Sequence, residues 1–173
     1  MKRSASSKSF NLVLASLFAA IIFLMTAYFI HIPTGLSGGY IHIGDIFIYF
    51  AACLLPTPYA MAAAAIGGAL SDTLTGSIIW APATLVIKPL LVLYFTSRSE
   101  KFITWRNVAA VFLAGITGLA GYYLAGAVIT HSYIAPLLTL PIDAIQPAAS
   151  GVFFLIIAFV LDLLGFKKRL RLG

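Results

Sequence analysis

The stretch FNLVLASLFAAIIFLMTAYFIHI, residues 10–32, contains no Asp, Glu, Lys or Arg. A transmembrane helix requires about 20 consecutive, mainly apolar residues, so this stretch predicts a membrane span. Lys2, Arg3 and Lys8 precede it, and basic residues also precede the apolar part of a signal peptide. The run is too long for a typical signal peptide, however, and no clear small-residue cleavage site follows it. We therefore interpret it as a retained first span.

The whole chain shares this apolar character. Of its 173 residues, 61% are hydrophobic and 9% are charged, and its mean hydropathy is +1.03. Ordinary soluble domains carry roughly 25% charged residues, so the composition indicates an integral membrane protein. The length suits one membrane domain, residues 1–173, and the single Cys53 excludes an internal disulfide.

Five further apolar segments follow the first. The fold class that we predict is an all-α integral membrane protein, a compact bundle of six transmembrane helices. Most cations lie in three clusters: before the first segment, between the fourth and fifth, and at the end of the chain. Six crossings place all three clusters on one side, so the positive-inside rule predicts cytoplasmic N- and C-termini in a bacterial-type plasma membrane. The predicted helices cover about residues 10–32, 44–55, 59–76, 82–97, 107–130 and 145–166.

A glycine-rich segment, HIPTGLSGGYIHIGD, separates the first two apolar segments. The second segment has only about 12 residues, which span about 18 Å as a helix, whereas the hydrocarbon core is about 30 Å thick. Irregular backbone is tolerated at membrane depth only where protein buries it or where it lines a water-filled cavity. We therefore predict an outward-facing pocket whose lid contains Gly35, Gly38 and Gly39, because glycine accepts many backbone angles.

Ionisable and polar residues are few within the spans, and most of them map to the outer side. A charge inside a membrane costs at least about 2.5–3.5 kcal/mol on insertion scales, so it usually has a partner or a function. Lys88 could anchor a ligand, or it could form a structural ion pair with Asp72 or snorkel. Asp45 could cap its helix or contact a ligand. The candidate substrate-binding residues are His42, Asp45, Trp80, Lys88, Asp143 and Gln146.

Aromatic residues leave similar alternatives open. Trp80 fits an interfacial aromatic belt, but it could also stack on a flat ring. Tyr122 and Tyr123 are adjacent on a helix, so we expect at most one of them to face the pocket. His42 could pack the loop instead of binding a ligand. The histidines and aspartates lack metal-ligand spacing, so we predict neither a metal nor a cofactor.

Small residues recur at four-residue intervals, as in Ala60-x3-Ala64-x3-Gly68 of the third segment. Such faces let helices approach closely, and we interpret most of them as packing within the chain. The first segment differs, because Ala15-x3-Ala19 lies near the basic start, away from the polar cluster. A partner could dock there.

Motifs of several enzyme classes are missing. The sequence has no Walker-type loop, no G-x-S-x-G turn and no H-E-x-x-H pair, and its halves show no clear inverted repeat. The pattern thus indicates a polar outer pocket without its own energy source.

Two stretches, GGYIHIGDIFIYFAACLLPTPYAMAAAAIGGALSDTLTG (38–76) and WAPATLVIKPL (80–90), resemble the substrate-binding S component of energy-coupling factor (ECF) transporters. These importers belong to the ABC transporters, and the subgroup resembled takes hydroxymethylpyrimidine or pyridoxine-like substrates. The resemblance implies six helices, a vitamin bound near the outer face and no enzyme activity. It also implies a transmembrane T subunit driven by two cytoplasmic ATPases. Ala15 and Ala19 match the family's A-x-x-x-A motif, which implies that T docks on them.

Two alternatives remain from the residues alone. A small channel or structural membrane subunit would have no tight small-molecule ligand. A membrane-embedded enzyme could use Asp72 and Lys88 as an acid–base pair. For an S component the ligand stays open among flat heterocycles, including pyridoxine-like, pyrimidine and riboflavin-like compounds.

Overall fold

A computed structural model describes residues 4–29, 32–33 and 40–172 of the chain. Two short strands, β1 (Ile32–Pro33) and β2 (Tyr40–Ile41), pair antiparallel, and a 3-10 helix covers Ile78–Trp80. The α-helices are α1 (Ser4–Ala27), α2 (Asp45–Leu54), α3 (Thr57–Leu74), α4 (Ala81–Val92), α5 (Trp105–Thr130), α6 (Ile134–Asp143), α7 (Ile145–Leu163) and α8 (Phe166–Leu172).

The predicted all-α class is confirmed. Within the described residues, three helical stretches are long and apolar enough to cross a membrane: Lys8–Ala27, Trp105–Thr130 and Ile134–Leu163. Two shorter apolar stretches, Asp45–Leu54 and Ile78–Val92, accompany them. Six crossings and the orientation of the termini therefore stay predictions.

The last of these stretches begins earlier than the sequence predicts. Residues 134–143 form α6, whereas the sixth helix is expected only from residue 145. Pro136 lies in the first turn of α6, where a backbone N–H has no partner within the helix in any case. Cβ of Pro136 lies 3.1 Å from the place that a Cβ on Gly126 would take, and Val111 meets Gly151 in the same way at 2.6 Å. Helices α6 and α7 thus continue along α5 in one antiparallel register.

Small residues bring α1, α3 and α4 close together. A Cβ on Gly67 would lie 2.6 Å from the carbonyl oxygen of Ala19, and one on Gly68 would lie 2.7 Å from Cγ2 of Thr84. Ala60 and Ala64 are fully buried in the core. The small residues of the third segment therefore pack within the chain, as predicted, and van der Waals contact between close backbones holds these helices together.

Helix α2 lies inside the bundle, since eight of its ten residues are buried. Tyr49 stacks on Phe95 with ring centroids 4.9 Å apart, and Phe154 of α7 meets Tyr49 edge-on at 5.6 Å. Aromatic pairs of this geometry each add about 0.5–1.5 kcal/mol beyond the burial of their surface. This packing fixes α2, and it therefore fixes the position of Asp45 at its first turn.

Hydrogen bonds hold the end of the bundle at which α4 is connected to α5. Asp162 of α7 accepts from the backbone N–H groups of Phe102 and Ile103 at 2.7 and 2.8 Å. Fully buried Asn107 accepts from the N–H of Thr96 and donates to the carbonyl of Phe102. These bonds tie the connection between α4 and α5 to the helices around it.

Candidate functional site

A cavity lies at the opposite end of the bundle, where α2, α4 and α7 begin and α3 and α5 end. The part of it that the centre of a water molecule can reach measures about 120 Å³. One water requires roughly 10–15 Å³ by this measure, so the cavity has room for a small molecule. The residues proposed from the sequence all line it: His42, Asp45, Trp80, Lys88, Asp143 and Gln146. The structure therefore brings the six together, while the ligand contacts of each stay predictions.

A buried ion pair lies in the cavity wall. Nζ of Lys88 is 2.6 Å from Oδ1 of Asp45, and the two side chains are 3% and 5% exposed. The second carboxylate oxygen of Asp45 accepts a hydrogen bond from Nε2 of Gln146 at 3.1 Å. The pair joins α2 to α4 and, through Gln146, to α7. Hydrogen bonds between ionised groups are about twice as strong as neutral ones.

Two sequence interpretations are wrong here. Asp45 does not cap α2, because Gly44 holds the capping position and no side chain caps this end. Lys88 takes Asp45 as its partner, and the ion pair with Asp72 does not form. In sequence both aspartates are far from Lys88. The choice between them is made by the packing of α2 inside the bundle.

Gln146 also holds the segment that precedes α2. Its Oε1 accepts from the backbone N–H of His42 at 3.3 Å. Nδ1 of His42 in turn accepts from the N–H of Gly44 at 3.0 Å. His42 thus joins Gln146 of α7 to the turn that begins α2.

A second polar network surrounds Asp72. Tyr40 donates to Oδ1 of Asp72 at 2.6 Å, and the hydroxyl of Thr84 donates to Oδ2. Thr84 has one hydroxyl hydrogen, so Tyr122, 2.9 Å away, donates to Thr84. Burial, reinforced by the nearby Asp72, raises the pKa of Tyr40 well above its ordinary value. Because Asp72 and Lys88 are each held by other groups, the geometry offers no hydrogen-bonded acid–base pair between them.

Aromatic rings form part of the cavity lining. The centroids of Trp80 and Tyr122 lie 6.1 Å apart, with the rings tilted by 55°. Nζ of Lys88 lies 5.3 Å from the centre of the Tyr122 ring, within the range of a cation–π contact. Tyr123 does not line the cavity and donates to the carbonyl of Tyr133, so the expectation that at most one of the adjacent tyrosines faces the pocket is confirmed.

Asp143 ends α6 and is partly exposed to the cavity. Its Oδ2 accepts from the hydroxyl of Thr139, one turn earlier, at 2.6 Å. Among the described residues, nothing donates to Oδ1. Asp143 is therefore the lining carboxylate with an oxygen open to a ligand.

Sequence reasoning missed three of these polar groups, Tyr40, Thr84 and Thr139. Thr84 lies four residues before Lys88, and Thr139 lies four residues before Asp143, so helical spacing places each pair on one face. That signal could have found both threonines. Tyr40 follows a glycine-rich stretch without periodicity, and the sequence gives no sign of its partner.

The residues expected to meet a partner, or to close the pocket, are placed as follows. Ala15 is 6% exposed and lies in the core of this chain, whereas Ala19 is partly buried. Their neighbours Ser16 and Ala20 are exposed. The open face of α1 is thus offset by one residue from the predicted alanines. The proposed lid glycines, Gly35, Gly38 and Gly39, lie outside the described residues.

Comparison with known proteins identifies the family. A search of curated proteins finds no match. A family model described as "ECF-type riboflavin transporter, S component" matches residues 6–164, which is most of the chain. This family consists of membrane transport proteins rather than enzymes, which agrees with the apolar helices of the chain. The hydroxymethylpyrimidine or pyridoxine subgroup stays a prediction. The chain belongs to the ECF-type riboflavin transporter S component family.

Proposed function

We propose that this chain binds a vitamin or cofactor precursor, a small flat heterocycle, in the cavity and delivers it across the cell membrane. A transmembrane T subunit and two ATPase subunits supply the drive, as the family assignment supports. The observation that carries the proposal is the cavity itself, in which all six predicted residues meet. The glycine-rich connection between α1 and α2 acts as its lid.

The chemistry of the lining favours a flat ring with polar edges. Trp80 and Tyr122 offer ring faces, while Gln146 and Asp143 offer hydrogen-bonding groups at the edge. Binding pockets typically combine an apolar, aromatic lining with a few placed polar groups. Riboflavin, named in the family description, and the pyridoxine and hydroxymethylpyrimidine suggested by the sequence all have this form.

Ligand identity is tested on the purified, detergent-solubilised chain. Small molecules that copurify are identified by mass spectrometry, and riboflavin, pyridoxine and hydroxymethylpyrimidine are titrated by calorimetry. Trp80→Leu should weaken binding about tenfold or more, because stacking a ring on an aromatic side chain contributes about 1–3 kcal/mol. Trp105, 88% exposed at the other end of the bundle, provides the matched control Trp105→Leu. The proposal would be refuted if no ligand copurified and none of the three compounds bound.

The T subunit is proposed to dock on α1 beside Ala15 and Ala19. Because Ala15 is buried, contact falls on the exposed small residues Ser16 and Ala20. Ala20→Leu should abolish copurification with the T subunit and leave ligand affinity unchanged. The control is Ala120→Leu on the exposed side of α5. Equal loss in both variants would contradict docking on α1.

A further inference from the structure

The cavity lining carries more negative than positive groups. Three carboxylates belong to it, those of Asp45, Asp72 and Asp143. Among the described residues of the lining, Lys88 is the sole Lys or Arg. A charge on His42 would still leave three carboxylates against two positive groups. The described residues of the lining therefore carry an excess of negative charge.

The ammonium group of Lys88 is bound by other groups of the protein. Lys88 is 3% exposed, lies 2.6 Å from Asp45 and contacts the ring face of Tyr122. If Lys88 turned to an anionic ligand, it would leave the buried carboxylate of Asp45 without its cation, and such charges are strongly destabilising. Lys88 therefore holds the shape of the wall and does not present a positive charge to the ligand.

The carboxylates differ in what they can offer. Both oxygens of Asp45 are taken by Lys88 and Gln146, and both oxygens of Asp72 accept from hydroxyl groups. Asp143 is partly exposed, and only one of its oxygens has a donor among the described residues. A ligand therefore meets Asp143 as the accessible charge, together with the ring of Trp80. Aromatic faces attract cations and repel anions.

We propose that the cavity binds its heterocycle in an uncharged or cationic form and rejects phosphorylated or carboxylated forms, with Asp143 as the specificity-determining residue. This inference rests on the proposed function, because it names the charge class of the substrate of that same site. Asp143 discriminates by repelling an anion and by accepting a hydrogen bond from a ring or side-group donor of the ligand.

The test uses ligands that share a ring and differ in charge. Calorimetry on the purified chain compares pyridoxine, pyridoxamine and pyridoxine 5′-phosphate, and riboflavin with its 5′-phosphate. The phosphate esters should bind at least tenfold more weakly than their parents. Asp143→Asn keeps the size of the side chain, and it should reduce the ratio of affinities between parent compound and phosphate ester about tenfold. Glu100→Gln removes an exposed carboxylate at the other end of the bundle and should leave it unchanged.

The possible outcomes distinguish failure of this inference from failure of the proposed function on which it rests. Equal or tighter binding of a phosphate ester, or a copurified anionic ligand, would overturn the charge selection and still support an S component. A discrimination that persists unchanged in Asp143→Asn would show exclusion by size, and would overturn the role of Asp143. Absence of any binding or copurified ligand would overturn the proposed function, and this inference with it.

Discussion

The buried pair of Asp45 and Lys88 gives the sharpest prediction about stability. At 2.6 Å, an effective dielectric constant of 20 gives an attraction of about 6 kcal/mol before the desolvation of both ions is subtracted. Lys88→Met removes the cation and leaves Asp45 buried, with only Gln146 bonded to it. Breaking a buried pair in this way costs about 3–5 kcal/mol. For a chain of this length that corresponds to a fall in Tm of about 6–20 °C.

The complete experiment is a double-mutant cycle. Asp45→Asn should also destabilise, because it leaves the ammonium of Lys88 buried without its carboxylate. The double variant buries no uncompensated charge, and replacing a buried pair by groups of similar volume is often neutral. We therefore expect the double variant to be more stable than either single variant, with a Tm close to that of the parent.

Thermal unfolding of the detergent-solubilised variants measures this, followed as the loss of the monodisperse peak in size-exclusion chromatography. The cycle needs no ligand, so it reports the protein's own interaction. The reasoning would be refuted if the fall in Tm of the double variant equalled the sum of the falls in the two single variants. They would mean that Asp45 and Lys88 act independently, and Lys88 would again become a candidate anchor for an anionic ligand.

Two further predictions concern close contacts elsewhere in the fold. A Cβ on Gly44 would overlap Oγ1 of Thr26, so Gly44→Ala should cost about 1–3 kcal/mol, and adding Thr26→Ala should restore part of the lost Tm; no loss in the single variant would contradict this contact. Asp162→Ala removes the acceptor of the Phe102 and Ile103 amides, and bonds to a charged acceptor contribute about 1.5–3 kcal/mol, so these amides should exchange with deuterium at least about tenfold faster. Unchanged exchange by mass spectrometry would show that other contacts hold this connection.

The sequence was enough to select six residues that line one cavity, because polar residues in an apolar chain are few enough to stand out. Asp143 ends α6 and Gln146 lies in the first turn of α7, while Lys88 lies in the second half of α4 and faces the same cavity. Burial in lipid is costly for such groups, so they gather where helix ends meet. That argument requires composition and approximate helix ends, which a sequence supplies.

The partners within the site could not be predicted in the same way. Which aspartate reaches Lys88 depends on the depth and rotation of α2, and aromatic packing around Tyr49 fixes both. Similarly, α6 was missed because Pro136 and Pro141 break the helical pattern locally. Its contact with Gly126 of α5 is a tertiary feature that leaves no local trace in the sequence.

The place of Lys88 changes what a rare charge in a membrane protein implies. A charge that is rare within a membrane usually has a function or a partner, and binding a ligand is one such function. Asp45, 2.6 Å away, supplies the counter-ion for this ammonium within the protein itself. Gln146 donates to the same carboxylate and accepts from the backbone N–H of His42. Lys88 therefore links α2, α4, α7 and the segment before α2, so it orders this wall of the cavity. Asp143 differs from the other two lining aspartates in that one of its oxygens has no donor among the described residues, and insertion cost alone would not reveal this difference.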